Sequence, residues 1–114
     1  MKNGKTTHYL EATAMTETKI ENKSEGRLEV IKNEDEYLPV DPVDTAPAYV
    51  GVTAGATINL LNFNMGKVSI SINYPCNPNA VDEVYPRLKR WVDKRLAEEV
   101  TELRQVAQSN KVSI

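Results

Sequence analysis

Residues 49–60 read Tyr49-Val-Gly-Val-Thr-Ala-Gly-Ala-Thr-Ile-Asn-Leu60, and this stretch decides the fold. Its even positions hold only Val, Ala, Ile and Leu, and its odd positions hold Tyr, Gly, Thr and Asn. An apolar residue at every second position is typical of a strand with one buried face. The sequence therefore predicts a strand here, bent at Gly51 or Gly55, where a missing side chain permits a bulge.

A second alternating run follows, with Val68, Ile70, Ile72 and Tyr74 on one face. The connection between the runs, residues 62–66, contains Asn and Gly, which adopt positive φ readily. Two alternating runs joined by such a turn predict a β-hairpin. Prolines 75 and 78 are expected to end its second strand.

The third element is an amphipathic helix, predicted from about residue 83 to 108. Its apolar positions recur every three or four residues, which places them on one stripe. Pro86 is acceptable only in the first turn of a helix, so the helix must begin near Asp82. The stripe comprises Leu88, Val92, Leu96, Val100, Leu103 and Ala107.

The N-terminal part is acidic and poor in large apolar residues. Such a segment buries too little surface to offset the entropy of ordering it. We therefore predict an acidic, largely disordered arm and linker over residues 1–46 and a ββα domain over residues 47–114. Residues 27–31 alternate well enough to add a third strand. The predicted fold class is α+β, with an antiparallel hairpin packed against one long C-terminal helix.

The composition limits the classes of function. A chain of 114 residues makes one small domain, and a net charge of -2 gives no general attraction to nucleic acid or anionic membranes. The chain has neither an 18-residue apolar run nor the apolar core of a secretory signal. We expect a protein that does not enter membranes and works in a reducing cytoplasm, because its one cysteine allows no internal disulfide.

No catalytic site, cofactor site or metal site is expected. The chain has one His and one Cys, too few for a zinc site. His8 lies in the segment predicted to be mobile, where nothing would orient it as a base. Cys76 precedes the helix, whose N-terminal charge favours a thiolate, but a packed cysteine is the preferred interpretation. The Asp82-Glu83 pair is best explained as a helix start.

One cluster on the helix keeps a binding hypothesis open. Trp91 lies at the border between the apolar stripe and the cations Arg87, Arg90 and Lys94. An exposed indole beside cations can stack on a base while the cations contact phosphates, and Tyr74 and Phe63 would extend such a surface. The preferred alternative is that Trp91 packs on the sheet edge under the stem of Arg87.

The small core predicts an oligomer, most simply a homodimer, or an obligate partner. The first half of the helix is mainly basic and the later part mainly acidic. Two helices packed antiparallel would place each basic half beside an acidic half. Ion pairs four residues apart within one helix, such as Lys94–Glu98 and Arg95–Glu99, are the preferred explanation of this division.

Residues 56–98 resemble small bacteriophage proteins. The resemblance rests on Ile58-Asn-Leu-Leu-Asn-Phe63, the alternating strand after it, Tyr74-Pro-Cys76 and the Asp82-Glu83 helix start. The phage pattern is INLGN followed by an aromatic residue, and Leu61 stands here in place of its glycine. Such proteins tend to lie among phage recombination, replication and early genes. The resemblance implies an accessory role and names no catalytic residue.

The expected function is therefore non-enzymatic. The leading expectation is a phage accessory protein in the host cytoplasm that contacts a host or phage protein. Interference with a host system is one form of this expectation. The alternative is a single-stranded nucleic-acid-binding protein that supports phage replication or recombination through Arg87, Arg90, Trp91 and Lys94.

Overall fold

The computed structural model describes residues 10–110, with side chains through residue 107. Four strands form one antiparallel sheet, and a single long helix packs on one of its faces. The strands lie in the order β2-β1-β4-β3, so the second and third strands form the two edges. In chain order, the elements are β1 (Glu11–Asn22), β2 (Arg27–Pro39), β3 (Ala48–Asn59), β4 (Asn64–Cys76), a 3-10 turn (Pro78–Ala80) and α1 (Val81–Asn110).

The predicted α+β class is confirmed, as are the C-terminal hairpin and the helix. β3 and β4 pair in one unbroken register from Ala48–Cys76 to Asn59–Met65. The helix runs from residue 81 to 110, slightly longer than predicted, and Pro86 lies near its start. Leu88, Val92 and Leu103 of the predicted stripe are each at most 6% exposed and form the core with the sheet.

The count of strands and the disordered arm were predicted wrongly. The sheet has four strands, and β1 and β2 cover residues 11–39, which fall within the arm predicted over residues 1–46. Residues 1–9 lie outside the described range. The predicted boundary at residues 46–47 falls in the connection between two halves of one sheet.

Small residues explain why β1 is ordered. It lies in the middle of the sheet, paired with β2 on one side and β4 on the other. Its helix-facing residues Ala12, Ala14, Thr16 and Thr18 are each at most 3% exposed. Short side chains allow the layers to approach closely, and pairing on both sides satisfies the backbone of the strand.

Ion pairs connect the helix to the edge strand β2. Lys32 Nζ lies 2.9 Å from carboxylate oxygens of both Glu99 and Glu102, and Arg95 pairs with Glu36. Acidic and basic residues of the helix are thus paired with β2. The sequence suggested either antiparallel pairing of two helices or ion pairs within one helix, and neither includes these contacts with β2. One ion pair between residues four apart in the helix is present, Lys89–Asp93.

Candidate functional site

The helix cluster predicted as a binding site is only partly accessible to a ligand. Arg87, Arg90 and Lys94 are exposed, as a contact with phosphates requires. Trp91 is half-buried against the core, and the guanidinium of Arg95 lies 4.6 Å from the centre of its ring. The cation over the indole is therefore Arg95, four residues later, where we had expected Arg87. One face of the indole is already occupied.

The structure does not bring Tyr74 and Phe63 to one surface. Tyr74 is half-buried beside the core near the end of β4, whereas Phe63 lies in the turn before that strand. At about 3.3 Å per strand residue, the two rings are roughly 35 Å apart along the chain. A single surface using both aromatic residues and Trp91 is not formed.

Cys76 is a packed residue, 6% exposed at the end of β4. Burial raises the pKa of its thiol, and the positive charge of Arg87 offsets part of this increase. A raised pKa favours the unreactive thiol over the thiolate. His8 lies outside the described residues. Within residues 10–110, no group of three or more His, Cys, Asp or Glu side chains is placed to hold a metal ion.

The most unusual backbone of the described chain lies in the turn between β3 and β4. Asn62 and Phe63 have φ angles of 64° and 67°, the left-handed region that non-glycine residues seldom adopt. Two successive positive φ values are typical of the type I′ turn, which matches the twist of a hairpin. Gly66, which we had placed in this turn, lies inside β4 instead.

The same turn exposes two large apolar side chains. Leu61 is 84% exposed and Phe63 is 74% exposed. Leu28 and Val30 are also more than half exposed, at the same end of the sheet on β2. We call these four residues, Leu28, Val30, Leu61 and Phe63, the hairpin end.

A buried pair of asparagines holds this turn in place. Asn22 Nδ2 donates to Asn64 Oδ1 at 2.8 Å, and Asn64 Nδ2 donates to the carbonyl of Leu61 at 3.0 Å. The amide of Lys23 donates to the carbonyl of Phe63 at 3.0 Å. Both turns at this end of the sheet are therefore tied together by hydrogen bonds.

Asn22 also organises the turn between β1 and β2. Its Oδ1 accepts hydrogen bonds from Ser24 Oγ at 2.9 Å and from the amide of Glu25 at 3.0 Å. Sequence reasoning missed this role of Asn22 and Asn64 because the two residues are 42 positions apart. The signal that was present is local: each asparagine adjoins a turn, where a short amide side chain can satisfy free backbone groups.

The uncovered face of the sheet is mostly polar. At the end opposite the hairpin end, an open depression of about 400 Å³ lies among both polar and apolar side chains. Two of the lysines on this face are paired with carboxylates, Lys19 with Glu17 and Lys67 with Glu21. The lining of the depression includes Thr13, Met15, Asp35, Tyr37, Thr53, Ser71 and Asn73.

No protein-family model, curated protein or solved structure matches this chain. Within the described residues, no helix is both long enough and apolar enough to span a membrane.

Proposed function

We propose that this protein is a small, non-enzymatic accessory protein of a bacteriophage that binds another protein through its hairpin end. The resemblance of residues 56–98 to phage proteins supports the phage setting and, with it, the host cytoplasm. Interference with a host system is one form that such binding takes. The observation that carries the proposal is the exposure of Leu61 and Phe63 on a turn held at positive φ.

Holding Phe63 exposed at positive φ has a cost in free energy. A left-handed conformation costs a non-glycine residue about 1–2 kcal/mol, and the exposed Phe63 ring gains little from burial within the chain. Strained conformations persist where the surrounding structure enforces them, and they cluster at functional sites. Aromatic anchors held rigidly in the bound form dominate many protein interfaces, because little conformational entropy is lost on binding.

The experiment is affinity purification from infected cells with the tagged full chain as bait. We expect a specific partner to be captured by the wild type and lost with Phe63→Gly. Glycine accepts positive φ without strain, so this variant should be at least as stable as the wild type. Thermal melting of both proteins checks that lost binding does not reflect unfolding.

The matched control is Tyr37→Ser, which removes an aromatic residue that is 63% exposed but lies on β2 far from the turn. This variant should retain the partner. Equal capture by the wild type and Phe63→Gly would refute the proposal, and so would equal loss with Tyr37→Ser.

Binding of single-stranded nucleic acid remains the alternative, and the geometry gives it less support. Its cations Arg87, Arg90 and Lys94 are exposed, but Arg95 covers one face of Trp91. This alternative predicts quenching of Trp91 fluorescence by oligonucleotides at low salt, weakened by Arg90→Ala. The absence of quenching would eliminate it.

A further inference from the structure

The two edges of the sheet differ sharply in charge. No Asp, Glu, Lys, Arg or His occurs between Asp44 and Lys67, so the whole of β3 is uncharged. The opposite edge, β2, carries six charged residues in 13 positions. An edge strand presents unpaired backbone groups that attract other strands, and proteins usually protect it with charges, prolines or bulges.

β2 has this protection and β3 does not. A bulge at Ile31 interrupts the register of β2, since Val30 and Lys32 lie opposite consecutive residues of β1. β2 also ends at Pro39 and is paired through Lys32 and Glu36 with the helix. The 12 residues of β3 form a regular strand without an internal proline. Its outer edge is therefore a regular, uncharged template.

Apolar side chains beside this edge are incompletely buried. Three apolar residues of β3 face the helix side of the sheet but are only partly buried: Val52, Ala54 and Ala56. On the helix, Leu96 and Val100 are also partly buried. At 100° per residue, they lie on the flank of the helix opposite Glu102, whose partner Lys32 is on β2. Together they form an apolar seam along β3.

We propose that a second copy of this chain pairs with it antiparallel along β3. A two-fold axis perpendicular to the sheet would join the two sheets into one of eight strands, with both helices on the same face. The seam of each copy would cover that of the other. Residues directly opposite in an antiparallel pair share a face, and β3 is uncharged, so no charged side chains of the two β3 strands lie opposite one another.

Self-pairing also explains why assembly stops at two copies. The outer edges of the eight-stranded sheet would be the two β2 strands, which are charged and bulged. A strand from another protein could also pair with the free backbone groups of β3. In that case, β3 would be exposed and unprotected whenever the other protein was absent. A second copy is present whenever the chain itself is present.

The area available is sufficient for a stable dimer. Twelve strand residues span about 40 Å, and a sheet with one helix layer is roughly 20 Å thick. The contact strip is therefore about 800 Å² per copy, the size of a standard specific interface. This dimer does not use the hairpin end, so the inference stands independently of the proposed function.

The test compares the full-length wild type with two double-lysine variants by sedimentation velocity over a range of concentrations. Thr53→Lys with Thr57→Lys places charges on the exposed face of the edge strand β3. Ser69→Lys with Ser71→Lys places the same charges on the same face of the interior strand β4. We expect the wild type and the β4 variant to be dimers. The dimer dissociation constant of the β3 variant should be at least tenfold higher than that of the wild type.

Amide exchange of the wild type tests the same claim without substitution. Amides of β3 that point away from β4 should be protected, and their protection should fall on dilution as the dimer separates. A monomeric wild type at 100 µM, free exchange of these amides, a dimer that survives the β3 lysines, or equal dissociation of the β4 variant would each overturn the inference.

Discussion

Gly66 lies where β4 passes beneath the later part of the helix, and its missing side chain sets how closely the two layers approach. A Cβ atom at this position would be 2.5 Å from Leu103 Cδ2 and 3.0 Å from Ile58 Cγ1. Leu103 is only 2% exposed and has little room to move. We expect Gly66→Ala to lower the free energy of unfolding by about 1–3 kcal/mol, as overpacking does in other cores.

Urea denaturation measures this change, and Gly51→Ala is the control. A Cβ atom on Gly51 would meet only the carbonyl of Ile72, at the ordinary distance of 3.9 Å. Gly51→Ala should therefore shift the midpoint far less than Gly66→Ala. Equal effects of the two substitutions would show that the close approach at Gly66 does not limit stability.

At this scale, the sequence identified the turn but not the residues that build it. Asn and Gly in residues 62–66 predicted positive φ, and Asn62 does adopt it. Phe63 was not predicted to do so, because a bulky residue in this region is unfavourable on its own. The amide of Lys23 donates to the carbonyl of Phe63, and Asn64 donates to the carbonyl of Leu61. The contact with Lys23 depends on β1, which was not foreseen.

Between elements, Lys32 connects β2 to the helix. Its ammonium donates hydrogen bonds to Glu102 and Glu99, both at 2.9 Å. Glu99 is 9% exposed, so removal of its cation leaves a nearly buried carboxylate without that partner. We expect Lys32→Met to lower the free energy of unfolding by about 1–3 kcal/mol at pH 7, which urea denaturation can measure.

The pH dependence of this effect has a definite sign. The hydrogen bonds to Glu102 and Glu99 raise the pKa of Lys32, and they outweigh the opposing effect of burial. A raised pKa in the folded state gives stability that is fully present below the ordinary lysine value, about 10.4, and is lost above it. The difference between wild type and Lys32→Met should stay constant from pH 7 to about 10 and shrink at higher pH. A difference that grows with alkalinity would contradict the assigned pairing.

The elements of the C-terminal half could be predicted because their patterns are strong. Val68, Ile70 and Ile72 alternate with polar residues, and each is at most 4% exposed. β1 was missed because its buried positions hold only Ala, Thr and Asn, which resemble the composition of a mobile segment. Alternation alone, regardless of side-chain size, would have revealed Ala12, Ala14 and Thr16. Part of β2 was predicted, since residues 27–31 were expected to add a strand. The charges of residues 32–36 hid the rest of β2, because they reflect an edge strand.

For the whole molecule, the order of the strands determines what can fold alone. β1 lies between β2 and β4. In the hairpin of β3 and β4, one side of β4 pairs with β3, and the other side needs β1 as its partner. The helix likewise needs β2 for the partners of Glu99 and Arg95. This dependence was invisible in the sequence, because the pairing of β1 with β4 joins residues about 50 positions apart.

We therefore expect a fragment of residues 41–114 to lack a cooperative fold. Without β1 and β2, β4 becomes a bare edge, and the helix loses the buried small residues Ala12 and Ala14 beneath it. Isolated hairpins are marginal in water, and one helix does not replace the missing strands. Circular dichroism during urea denaturation should show a gradual change for the fragment and a single sharp transition for the full chain. The control is the full chain cleaved within the exposed connection at residues 44–46, which keeps all four strands and should retain its transition. A sharp transition in the fragment would mean that residues 47–114 form a domain by themselves, as their sequence pattern suggested.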